Sequence, residues 1–116
     1  MAKIQTSASV PVSSHEDARA KVKRHVGNMG AKLQSDLPLE IVLKRGSQAK
    51  TRLLGGSFIK DTDLPIIASI TFDASKPEEV LVVVSEHLVI GTTLGMRDKY
   101  QRACTDFAQA IAKVIR

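Results

Sequence analysis

From the N-terminus, apolar or β-branched residues alternate with small polar ones over residues 3–12. Ile4, Thr6, Ala8, Val10 and Val12 fall on one side, and Gln5, Ser7, Ser9 and Pro11 on the other. That period of two predicts a strand with one apolar face. Pro11 has no amide to donate, so the strand ends there or leaves that position unpaired. Ser13 or Ser14 then offers an N-cap, and Glu16 or Asp17 suits the first helical turn. Ala18, Val22, Val26 and Met29 follow near every fourth position, which predicts a short amphipathic helix stopped by Gly27 or Gly30. Four further strands are expected at 39–44, 50–60, 64–73 and 79–90, separated by short turns. Gly55-Gly56 inside the second of these suggests a bulge or bend. Ile66, Ala68, Ile70 and Phe72 share a face of the third. The last is the longest and most apolar, which favours a place inside the sheet. Residues 94–116 close the chain as a long helix whose Tyr100, Ala103, Cys104, Phe107, Ile111 and Val114 recur at three- and four-residue spacing.

The element order β-α-β-β-β-β-α with short loops implies an antiparallel meander, because parallel neighbours need a crossover at each step. The helix after strand 1 prevents a hairpin to strand 2, so strand 1 pairs with strand 5. The predicted fold is α+β: an antiparallel, curved five-stranded sheet in the order 1-5-4-3-2, with the C-terminal helix packed on it. Strand 39–44 would form one edge, and the apolar Val42 side of that edge suggests a homo-oligomer.

The chain has 116 residues, which fits one α+β domain over 1–116. Its single cysteine excludes an internal disulfide framework. The longest apolar run, 80–84, is far short of a membrane span. The opening Met-Ala-Lys-Ile-Gln-Thr lacks the apolar core of a signal peptide, so a reduced, cytoplasmic setting is expected. The net charge of +5 is unevenly placed. Residues 1–52 carry ten basic and four acidic side chains, whereas 53–116 carry seven and eight. The excess falls in two clusters, around Arg19, Lys23 and Arg24, and around Lys44, Arg45 and Lys50. Solvated surface is the ordinary reading of such clusters. The alternative is a basic interaction module docking on an acidic partner such as RNA, although no aromatic residues stand among the cations to stack on bases.

The opening strand, the Ser13-Ser14-His15-Glu16-Asp17 cap, the meander and the long terminal helix together resemble a reduced START-like, or helix-grip, domain. The resemblance covers the whole chain as a pattern of elements. It implies binding of an apolar small molecule or lipid, some members being cyclases or hydrolases; the leading expectation is a non-enzymatic domain that binds a hydrophobic or amphipathic small ligand between sheet and helix. Candidate lining residues are Arg52, Phe58, Ile70, Phe72, His87, Tyr100 and Phe107, with Arg52 or His87 meeting a ligand carboxylate.

Other chemistry has little support in the sequence. His15 and His25 are too far apart along one helix to share a metal, and His87 stands alone, so no metal or cofactor is expected. Cys104 lies on the apolar stripe of the last helix, where an inert thiol is usual. In Ser85-Glu86-His87, alternation puts Glu86 opposite its two neighbours. A small cyclase or hydrolase would need His87 or Glu86 facing inward beside a cavity. Gly91-Thr92-Thr93-Leu94-Gly95 lacks both the P-loop ending and the third glycine of the dinucleotide fingerprint. No catalytic residue is assigned.

Overall fold

The structure, a computed structural model, describes residues 5–46, 64–86 and 97–116. Within them the chain forms β1 (Gln5–Pro11), α1 (His15–His25), a 3-10 turn (Gly27–Met29), β2 (Ala31–Leu37), β3 (Glu40–Arg45), β4 (Ile66–Thr71), β5 (Glu79–Glu86) and α2 (Arg97–Ile115). All strand pairs are antiparallel, and the sheet order is β1-β5-β4-β3-β2, as the element order predicts. The architecture is α+β, with both helices on one face of an open sheet.

The membership of the sheet differs from the sequence-based expectation in one respect. Strand 39–44 is not an edge: as β3 it lies between β4 and β2. The edge belongs to β2, which the alternation pattern did not reveal. Leu33 opposes Leu43 and Ser35 opposes Val42, so Gln34 is an extra, bulged residue. The bulge resets the alternation and sets Leu33 and Asp36, three positions apart, opposite the core-facing Leu43 and Ile41. Edge pairing through an apolar Val42 side is therefore unavailable. The expected strand at 50–60 lies outside the described residues, as do 87–90 of the last strand.

The core face is built in cross-strand rows. Ile41, Ile70, Val82 and Ala8 form one, and Leu43, Ala68, Val84 and Thr6 the next. The third row, at the sheet end where β5 stops, reads Arg45, Ile66, Glu86. Tyr100, Ala103, Cys104, Phe107, Ala108, Ile111 and Ile115 of α2 are buried against this face. The predicted stripe holds except at its end, where Ile115 is buried and Val114 only partly so. Gln101 donates to Thr6 Oγ1 at 2.9 Å, which registers the first half of α2 on β1.

The termini of α1 follow local chemistry. Ser14 is extended and its Oγ accepts from the Asp17 amide at 3.0 Å. Glu16 and Asp17 in the first turn and Lys23, Arg24 and His25 in the last complement the helix dipole. The chain leaves the 3-10 turn through Gly30 at φ 69°, a left-handed conformation that glycine adopts at little cost.

Candidate functional site

The two ends of the grip differ. At one end, Phe72 is closed over by α1. The His15 ring lies 5.4 Å from it, tilted at 60°, and the Arg19 guanidinium stands 4.6 Å from its centroid. His15 Nε2 lies 2.8 Å from the Lys76 carbonyl and 2.9 Å from that of Glu79. Carbonyl oxygens only accept, so Nε2 carries the proton and pins the helix start to the β4–β5 connection. Arg19 also donates to the carbonyls of Leu37 at 2.9 Å and Pro38 at 2.7 Å, and pairs with Asp36. Lys23 reaches the other oxygen of Asp36 at 2.8 Å. The Lys23 hydrogen bond, with both cations alongside, holds the Asp36 carboxyl below its usual range.

The other end holds Arg45, Glu86, Tyr100 and Cys104. Tyr100 is fully buried, and among the described residues its hydroxyl has no hydrogen-bond partner. Burial, then the charge of Glu86, pushes its ionisation upward. Cys104, one turn along α2, is pushed up to about 11 by burial and by Glu86, with Arg45 opposing. At neutral pH it is a thiol, the inert state expected from its position. The Arg45 guanidinium lies 4.5 Å above the Phe107 ring.

The predicted lining residues are thus divided. Tyr100 and Phe107 belong to the end with two charged side chains in its closing row. Ile70 lies along the apolar part of the face, and Phe72 under α1. Arg52, Phe58 and His87 lie outside the described residues, as does the 91–95 loop. Of the cations, Arg19 and Lys23 are engaged by Asp36, and Arg24 is exposed on α1. Lys44 faces away from the helices, Arg45 faces them, and Lys50 lies outside the described residues. Glu86 shares the core face with Val80, Val82 and Val84, an arrangement legible in the alternation. The Arg19–Phe72 contact carried no sequence signal, because its partners are brought together only by the packing of α1 on the sheet.

Two recesses border the described residues elsewhere. One, of about 140 Å³, is lined by residues including Ser9, Asp73, Lys76 and Glu79. Its Asp73 carboxylate is already occupied by the Ser75 amide at 3.0 Å and hydroxyl at 2.8 Å. The other, of about 300 Å³, lies along β2 and β3 and is lined by Lys32, Gln34 and Lys44 among others. No described helix is long and apolar enough to cross a membrane. No protein-family model, curated protein or solved structure matches the chain, so the geometry alone carries the functional argument.

Proposed function

We propose that the protein binds a small amphipathic ligand between the sheet and α2, at the end bounded by Arg45 and Glu86, with the Tyr100 hydroxyl as its polar anchor. The observation that carries this reading is the buried phenol without a partner among the described residues. Leaving such a group unsatisfied costs about 1–3 kcal/mol, and native cores seldom tolerate it without a reason. A ligand oxygen or nitrogen at that point removes the cost. Ile66 and Phe107 supply buried apolar side chains at this end of the core, and the charged ends of the closing row suit a polar head. Phe72 is sealed by His15 and Arg19, so the ligand stops short of that end of the grip. A protonated Cys104 fits a binding role better than a nucleophilic one.

Native mass spectrometry of freshly purified protein tests this directly. An adduct is expected on the wild type and lost in Tyr100→Phe, whose unliganded form is more stable than the wild type because the orphaned hydroxyl is gone. If only the bare polypeptide mass appears, and a medium-chain carboxylate leaves the amide resonances of Tyr100 and Cys104 unmoved, the reading is wrong.

A further inference from the structure

The recess along β2 and β3 is lined by Lys32 and Lys44 from the face opposite the helices, and shares only Arg45 with the ligand end described above. Among the described residues its lining, Gly30, Lys32, Gln34, Lys44, Arg45 and Gly46, contains no carboxylate. Lys32 and Lys44 are direct cross-strand partners. Like charges placed so are destabilising, and a sheet normally sets an acid or a neutral residue in one of the two positions. The flanking positions here supply no relief. Lys44 opposes Ile67 on its other side, and neither lysine is ion-paired among the described residues. The four acids of α1, β2 and β3 are accounted for elsewhere: Asp17 pairs with Lys21, Asp36 with Arg19 and Lys23, Glu16 is exposed in the first turn of α1, and Glu40 lies at the opposite end of β3. The third polar side chain, Gln34, belongs to the bulged residue of β2, which lies outside the ladder pairing and lines the same recess.

We propose that this recess is a binding site for a phosphate-class oxyanion, free or carried on a small molecule. Lys32, Gln34 and Lys44 all line a volume of about 300 Å³, and a tetrahedral dianion there can accept from two ammonium groups and an amide while cancelling the repulsion between the lysines. No aromatic side chain lines the recess among the described residues, so the recognised part is the anion and not a stacked base.

The test is thermal unfolding of the full chain in inorganic phosphate, in a phosphomonoester and in chloride, at equal ionic strength. Phosphate is expected to raise the wild-type Tm by about 5 °C over chloride at concentrations well above Kd. Lys32→Gln and Lys44→Gln should each weaken phosphate binding about tenfold or more while raising the Tm in chloride, since each relieves the like-charge pair. A larger phosphomonoester than phosphate effect assigns the site to a phosphorylated small molecule, and equal effects assign it to free phosphate. The proposal fails if the wild type and the Lys32→Gln/Lys44→Gln double variant respond equally to phosphate. It fails likewise if phosphate matches chloride, leaving the lysines only as guards of an exposed edge. Binding to RNA with steep salt dependence and no phosphate response would also overturn it, in favour of a nucleic-acid surface.

Discussion

Arg19 joins α1 to the β2–β3 hairpin, and its replacement tests the closed end of the grip. Its guanidinium donates to the Leu37 and Pro38 carbonyls, pairs with Asp36 and stands over Phe72, with the side chain only 24% exposed. Hydrogen bonds from a charged donor are worth about 1.5–3 kcal/mol when sheltered, so partial exposure leaves about 1 kcal/mol for each carbonyl bond. The cation–π contact adds about 0.5–1 kcal/mol. The pairing with the solvent-exposed Asp36, which Lys23 shares, adds only a small amount to these contacts. Arg19→Ala should therefore cost about 2–3 kcal/mol, a fall in Tm on the order of 10 °C. Arg19→Lys should lose most of that, because one ammonium lacks the planar fork that reaches two carbonyls while stacking on a ring. Arg24→Ala, on the exposed side of the same helix, should stay within about 0.5 kcal/mol of wild type. Urea unfolding followed by circular dichroism measures all three. A lysine variant as stable as wild type, or an alanine variant costing less than about 0.5 kcal/mol, would refute the reasoning.

Three further outcomes follow from local geometry. Gly46 has φ 93°, and a Cβ there would overlap the Leu64 carbonyl and lie 2.7 Å from the Pro65 nitrogen. Gly46→Ala should thus destabilise by about 3 kcal/mol or more, against about 1 kcal/mol for Gly30→Ala, which has the left-handed strain but open space; equal urea midpoints would contradict this. Cys104, held as a thiol with its ionisation pushed up to about 11, should react with a water-soluble disulfide reagent at pH 8 at a rate set by unfolding, and rapid labelling of the native protein would contradict its burial. Asp36 has a lowered ionisation in the folded state, so its contribution is complete above the ordinary carboxylate value of about 3.9 and is lost as pH falls through the lower folded value. The stability gap between wild type and Asp36→Asn, read from urea titrations, should be widest near neutrality and close below about pH 4; a gap independent of pH would count against the ion-pair cluster.

The sequence was most informative where one periodicity runs unbroken. The alternation of Ile66, Ala68, Ile70 and Phe72 and the stripe from Tyr100 to Ile111 each mark a face that must be buried, and both are. β2 escaped because nothing in it repeats: its bulge at Gln34 breaks the period, and Leu33 and Leu37 are 41% and 54% exposed. The sheet order survived this omission because it depends on where the helix interrupts the meander, and that interruption is legible. Side-chain partnerships were largely invisible. Arg19 reads as a surface cation until the fold sets Phe72 beneath it, and the Lys32–Lys44 opposition exists only once the β2–β3 register is known. Tyr100 was identifiable as a core aromatic, but its solitary hydroxyl follows from the three-dimensional surroundings alone.

The pairing of β1 with β5 also has a temporal consequence. Val10 sits opposite Val80, whereas the β2–β3 ladder is closed by neighbours in the chain. During synthesis the hairpin can assemble while the first strand is still waiting for a mate that the ribosome has yet to make. Until β5 emerges, β1 presents an unmatched strip of backbone donors and acceptors, the kind of edge that invites association with another nascent chain. Its small, polar outer row of Gln5, Ser7 and Ser9, closed by Pro11, makes that strip a poor template during the delay.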